Sequence, residues 1–341
     1  MGGRNRKLDV YKALAAIGVI LVHIRFPGVV GSVFCSIGVC GVIFFFLISG
    51  YAIYGDNAND AVTKKLWVRF KRNAGITCIA VGIYFVFTVL TQICYGNVSD
   101  WMREFFKPVI LLRMVFLGDF EMIYGDPLWF LPALCYSYLL FILIYKLKLL
   151  RVAHAMMPVF LLLRIGMETY TNSFGADWHM SGNAIVGALP IMLLGHFIAA
   201  NRKTVAGFDY KIVVIFSLIA AAATFLSVNI KAGALDVSQP FKIAFASLVF
   251  IIAIRGYTGR DSVCKLLEYL GMRCSLYIYL FHYLIIVVLV FLAEELNLSD
   301  FLFDWFVPVA VIIVSVVVSV GIDRVKMLII QLSDETRESA G

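Results

Sequence analysis

Three polar side chains interrupt an otherwise apolar stretch near the start of the chain, Lys7–Phe26, KLDVYKALAAIGVILVHIRF. Asp9 and Lys12 lie at its beginning and His23 near its end. An imidazole so placed can take a proton from an alcohol, which is general-base chemistry. Read as a helix, the step from Lys12 to His23 makes three turns plus about 20°, so both side chains share one face. They are separated along the axis by roughly 16 Å. Ala16 and Val19 lie on the same stripe and are small. The helix thus presents a cation, a slot lined by small side chains, and an imidazole. Polar groups inside a membrane span are costly and are functional candidates for that reason. The plainer account has His23 bonded to a neighbouring carbonyl and Lys12 either paired with Asp9 or reaching to the inner interface.

Other stretches carry weaker signals. Phe44-Phe-Phe-Leu-Ile-Ser-Gly-Tyr51 ends an apolar run, with Gly50 suited to close backbone approach and Ser49 to hydrogen bonding across helices. Lys64–Arg72, KKLWVRFKR, suits anionic lipid headgroups or, through Arg69 and Arg72, a phosphate. Trp129 sits in Pro127-Leu-Trp-Phe-Leu131, the position of an interface anchor. His282 follows Tyr277-Ile-Tyr-Leu-Phe281 and reads as a structural group or a relay. His154, His179 and His196 show no partner pattern. The seven cysteines are scattered without a C-x-x-C pair, so they read as small apolar side chains and no metal is expected. No H-E-x-x-H, G-x-S-x-G, Walker or G-x-G-x-x-G motif supports a zinc hydrolase, serine esterase, P-loop or Rossmann reading.

The elements that position these groups are membrane helices. Of 341 residues, 62% are hydrophobic and 15% charged, and the mean hydropathy is +0.91. Soluble domains carry about 25% charged residues. The expected fold is an all-α polytopic membrane helix bundle of about ten transmembrane helices. The spans fall near 8–26, 33–54, 74–95, 127–145, 149–165, 183–200, 210–230, 238–254, 272–292 and 305–323. The fifth is interrupted by Arg151, His154 and Pro158. Phe105–Leu117 is apolar but short, holds Pro108 and Arg113, and reads as an interfacial or re-entrant piece. Residues 1–332 form a single domain and 333–341 a short polar tail. The first apolar run lacks the features of a cleavable signal peptide.

The cations test this arrangement. With the N-terminus inside, inner segments hold 22 of the 29 lysines and arginines, from Arg4, Arg6, Lys7 and Lys12 through to Arg324, Lys326 and Arg337. The outer segments hold Arg25, Arg103, Lys107, Arg113, Arg164, Lys231 and Lys242. That asymmetry follows the positive-inside rule and places both termini in the cytoplasm. It also makes the net charge of +7 a topology signal, so no nucleic acid is expected as a partner. Membrane lipid is the general partner. The glycine-rich Gly38–Gly50 stretch can pack within one chain or between two, which leaves a homodimer open.

Together these stretches resemble the acyltransferase-3 family of bacterial integral membrane acyltransferases. Leu8-Asp-Val-Tyr-Lys12 followed after ten residues by His23 is similar to the family's D-x-x-R…H, with lysine where arginine is usual. Phe45-Phe-Leu-Ile-Ser-Gly-Tyr51 resembles F-F-x-x-S-G-Y. Leu128-Trp-Phe-Leu131 matches a third stretch. Leu270-Gly-Met-Arg-Cys-Ser275 with Tyr279-Leu-Phe-His282 resembles L-G-x-x-S-x-x-x-Y-L-x-H. Pro190-Ile-Met-Leu-Leu-Gly195 looks like L-P-x-F-x-x-G, with Met192 where phenylalanine is usual. The resemblance implies ten spans in the bacterial cytoplasmic membrane and an acyl-CoA donor, most simply acetyl-CoA, used from the cytoplasmic side. It implies an acceptor hydroxyl on an envelope glycan or a small molecule. On that analogy His23 is the general base with Asp9 beside it. Lys12, Arg69 and Arg72 hold the donor, and Ser49, Tyr51, Trp129 and His282 line the substrate.

Two further readings stand beside this one. A subset of the family resembles the membrane half of vancomycin-resistance serine racemases, which implies transport of L-serine or a similar amino acid. A non-catalytic bundle, with Lys12 and His23 serving packing alone, is the third.

Overall fold

The computed structural model describes residues 5–55, 59–177, 179–229, 235–255 and 262–338. Arg4, Lys231 and Arg260 of the charge pattern, and the end of the polar tail, lie outside the described residues. Every regular element among the described residues is helical. In chain order the helices are α1 (Arg6–His23), α2 (Gly28–Gly38), α3 (Gly41–Tyr51), α4 (Asn59–Cys94), α5 (Val98–Phe105), α6 (Pro108–Leu117), α7 (Phe130–Lys146) and α8 (Leu150–Phe174). They continue with α9 (His179–Gly182), α10 (Leu189–Ala200), α11 (Arg202–Ala206), α12 (Tyr210–Asn229), α13 (Gln239–Ile254), α14 (Ser262–Tyr269), α15 (Ser275–Glu295) and α16 (Asp300–Glu338). Two π-turns interrupt the pattern, Ala184–Ala188 before α10 and Leu270–Cys274 before α15.

The chain is a multi-pass membrane protein. Seven helical stretches are long and apolar enough to cross a bilayer: Gly28–Tyr51, Asn59–Cys94, Asp126–Lys146, Leu150–Phe174, Tyr210–Asn229, Val263–Glu295 and Asp300–Leu332. The other three expected spans fall on shorter or more charged helices. α1 has 18 residues and includes Arg6, Lys7, Asp9 and Lys12. Ala184–Ala200 and Gln239–Ile254 are apolar, but each has fewer than 18 residues. At 1.5 Å per residue the 16 residues of α13 reach about 24 Å, short of a hydrocarbon core of about 30 Å. Pro108 starts α6, whose ten residues are likewise too few to span.

Several boundaries differ from expectation, each for a local reason. The basic run Lys64–Arg72 forms one unbroken helix with the span that follows it, giving α4 its 36 residues. Neither glycine nor proline occurs within that run to stop the helix. Pro158 sits inside α8 without ending it, so the fifth span reaches Phe174. α16 continues through the polar tail to Glu338.

The chain divides into two compact units. One comprises Met1–Gly41 and Ala253–Gly341, the other Val42–Ile252. In the first, α1 packs on α2, α14, α15 and the π-turn Leu270–Cys274, and α15 runs beside α16. Asn5 fixes the start of α1: its Oδ1 accepts from the Leu8 amide at 3.1 Å, and its Nδ2 donates to the Ala253 and Ile254 carbonyls at 3.2 and 3.0 Å. In the second unit α4 lies against α7, and α10 against α8. There α3 and α10 cross through reciprocal glycines. A Cβ on Gly50 would overlap the Met192 carbonyl, and one on Gly195 the Leu47 carbonyl. The F-F-x-x-S-G-Y and L-P-x-F-x-x-G stretches are therefore two sides of one small-residue crossing.

Candidate active site

α1 brings two of its polar residues together at one end. Lys12 Nζ donates to Asp9 Oδ1 at 3.0 Å. Asp9 is 5% exposed, while Lys12 is half-buried. The pairing follows from their separation by about one helical turn. The Asp9 backbone is pressed by the π-turn: a Cβ on Gly271 would overlap the Asp9 carbonyl oxygen. Only glycine lets α1 and this turn approach so closely. That requirement accounts for the glycine of the Leu270-Gly-Met-Arg-Cys-Ser275 stretch. Single π-turns of this kind are frequent at functional sites.

At the other end of α1, His23 meets the side chains of α15. Its ring centroid lies 5.3 Å from that of His282, at an interplanar angle of 48°. The Tyr283 ring meets His23 edge-on at 5.4 Å. The two imidazoles are unequally accessible: His23 is exposed and His282 is fully buried. His282 Nδ1 sits 2.7 Å from the Tyr279 carbonyl and 3.2 Å from that of Ile278, so it carries the proton and donates. His282 Nε2 is then an acceptor, and no protein group among the described residues bonds to it. An imidazole anchored through one nitrogen, with its other lone pair bare, is arranged to accept a proton or to orient a donor. Tyr283 was missed in the sequence; its adjacency to His282 is the only signal there.

The other expected site residues belong to the second unit. Arg69 Nη2 donates to the Ala52 carbonyl just past α3 at 2.9 Å. Ser49 donates to the Phe45 carbonyl at 2.9 Å, the back-bond of a helical serine, and it also hydrogen-bonds Tyr138 on α7. Tyr138 feels the charges of both Arg69 and Arg72. Ser49, Arg69 and Arg72 thus converge on a tyrosine that carried no motif in the sequence. Tyr51 stacks edge-on against Phe250 at 5.4 Å, and Trp129 packs 6.1 Å from Phe46, both as part of an aromatic core.

Three histidines without a sequence partner acquire one in the fold. Tyr145 lies 2.7 Å from His196 Nε2, and His196 Nδ1 lies 3.0 Å from His154 Nε2, forming a chain of three bonded groups. Their partners are 42 and 51 residues away, beyond any local spacing rule. His179 joins an ionic cluster on the loops around α6. Its Nδ1 is 2.7 Å from Asp177, and Arg113 bonds Asp119 and Asp177 at 2.7 Å each. Burial alone would raise the Asp177 carboxyl, but hydrogen bonds from His179 and Arg113 outweigh it and bring it down to about 2. Asp119, Glu121 and His179 each place one potential ligand atom within 4.8 Å of the others, yet the Arg113 guanidinium already neutralises Asp119.

These features define a polytopic helical membrane protein with a histidine pair in one unit and an arginine–serine–tyrosine cluster in the other. The chain belongs to the acyltransferase-3 family, whose acyltransferase-domain model matches residues 5–324, and it is an acyltransferase. No curated protein and no solved structure matches it.

Proposed function

We propose that this chain moves an acyl group, in the simplest case acetyl, from cytoplasmic acyl-CoA to a hydroxyl of an envelope glycan or a small extracytoplasmic acceptor. His23 is the general base. The observation that carries this reading is the exposed His23 ring 5.3 Å from a buried, Nδ1-anchored His282. In the step, His23 takes the acceptor's hydroxyl proton while the oxygen attacks the thioester carbonyl carbon. The C–O bond forms, the C–S bond breaks, and the proton passes to the departing CoA sulfur. His282 positions His23 from behind, and its bare Nε2 supports the imidazole as it takes the proton.

Asp9 holds the Lys12 ammonium and so acts through Lys12, which meets the donor. Within the second unit, Arg69 and Arg72 are cations suited to a phosphate. The gathering of lysines and arginines on one set of segments supports a multi-pass protein of the bacterial cytoplasmic membrane, with both termini inside. The test is transfer from radiolabelled acetyl-CoA by the purified chain, comparing wild type with His23→Ala. Label must reach a hydroxyl acceptor in a His23-dependent manner; uptake of serine into vesicles without acyl-CoA would instead establish the carrier reading.

A further inference from the structure

The π-turn Leu270–Cys274 has two sides. Gly271 meets the Asp9 backbone of α1. Met272 and Arg273 line a pocket of about 570 Å³ whose opposite wall is the α16 stretch from Asp323 to Gln331. All of these residues belong to the first unit. The volume is within the range of small-ligand sites. Arg273 Nε donates to both oxygens of Asp323 at 3.0 and 3.1 Å, and the Tyr269 hydroxyl donates to Asp323 Oδ2 at 2.8 Å, so the acid in the pocket wall is already paired. Arg324 lines the same pocket, is exposed, and forms no hydrogen bond or ion pair with any described residue.

The pocket lies at a membrane surface. Between Asp304 and Asp323, α16 carries no charge over 18 residues. That run reaches about 27 Å, close to a hydrocarbon thickness of about 30 Å. Asp323, Arg324 and Lys326 therefore fall where the hydrocarbon ends. Beyond Asp323 the exposed side chains of α16 are of two kinds. Val325, Leu328, Ile329 and Leu332 are apolar and exposed, and their spacing puts them on one stripe. Arg324 and Lys326, also exposed, flank that stripe on either side. Leu328 of the stripe is itself part of the pocket wall. A soluble anion would satisfy the cations and leave the stripe facing water. A phospholipid with a negative headgroup satisfies both, its phosphate meeting the cations and its acyl chains the stripe. Basic pockets between membrane helices at a membrane face suit anionic headgroups for this reason.

We infer that this pocket holds one anionic phospholipid, its phosphate between Arg324 and Arg273 and its acyl chains along the α16 stripe. The lipid braces α16 against the turn whose other side carries Asp9, and so steadies the end of α1 where Lys12 is paired. Its binding does not depend on whether the chain transfers acyl groups.

The full chain in detergent is titrated with phosphatidylglycerol or phosphatidylcholine; native mass spectrometry reads the lipid retained, and thermal unfolding reads its effect. The wild type retains phosphatidylglycerol in preference to phosphatidylcholine and unfolds at a higher temperature with it. Arg324→Gln with Lys326→Gln weakens phosphatidylglycerol roughly 25-fold, about a factor of five for each cation, and leaves phosphatidylcholine unchanged. Leu328→Trp fills the pocket while keeping every charge, and it too loses the preference. Lys203→Gln with Lys211→Gln removes two exposed cations from the second unit and keeps wild-type affinity. All of these variants unfold at the wild-type temperature in phosphatidylcholine, because the substituted side chains are exposed. Equal weakening in both double variants, or full preference in Leu328→Trp, would leave only the general lipid shell and overturn the site. Displacement of the lipid by inorganic phosphate or CoA in an Arg324-dependent manner would make the pocket a soluble-anion site and overturn it as well. A Leu328-dependent dimer that retains no lipid would place a second copy of the chain there instead.

Discussion

His23 and His282 stand 5.3 Å apart, ring centre to ring centre, and only one of them is exposed. The residues are 259 positions apart in sequence, and α1 and α15 bring them together. In the proposed mechanism this division gives His23 the reacting role and His282 the supporting one. His23→Ala should lower acetyl transfer by about 10² to 10⁴, the usual range for losing a general base. His282→Gln should lower it less and should alter the pH profile of the remaining activity, because the imidazole behind His23 is gone. Steady-state rates across pH for the two variants check this. Equal, pH-independent losses would reduce His282 to packing.

The Asp9–Lys12 pair makes an asymmetric prediction. Lys12→Ala leaves a buried carboxylate without its cation and should cost on the order of 2 kcal/mol of stability. Asp9→Asn together with Lys12→Met should recover most of that loss, because no unpaired charge remains. Thermal unfolding in detergent measures both. Lys12→Arg should retain donor binding; an affinity for CoA unchanged in Lys12→Ala would remove Lys12 from the donor site.

Gly271 is predicted to be intolerant of substitution. A methyl group there meets the Asp9 carbonyl, which is backbone and cannot swing aside. Gly271→Ala should destabilise by about 1–3 kcal/mol through overpacking. It should also lower transfer, by shifting α1 against the turn that leads into α15. Gly321→Ala on α16, where a Cβ meets nothing within 4 Å, is the control and should be near neutral.

Asp177 gives a pH signature. Its carboxyl titrates at about 2 in the folded chain, below the ordinary value of about 3.9. A depressed carboxylate contributes stability that is complete above the unfolded value and is lost as pH falls toward the folded one. The difference in unfolding temperature between wild type and Asp177→Asn should be constant above about pH 5 and shrink between pH 4 and 2. Arg113, Asp119 and His179 face Asp177 in this cluster. A difference that persists undiminished down to pH 2 would remove the Asp177 carboxylate as its source.

The sequence by itself determined the membrane class and the all-helical character of the chain. Hydropathy and the sorting of cations are sums over many residues, and such sums survive errors at single positions. The Asp9–Lys12 pairing was legible as one of the available readings because a helix fixes neighbours one turn apart. Span boundaries were less legible. Pro158 and the cations of Lys64–Arg72 suggest breaks, yet α8 and α4 continue through them. Side-chain pairings between helices were not legible at all. His196 with Tyr145 and His154, Tyr138 with Ser49, and His282 with His23 depend on which faces of distant helices meet. Helix period says which residues share a face, but it does not say which helix that face touches. Close backbone approach at Gly50, Gly195 and Gly271 settles that question, and it exists only in the folded chain.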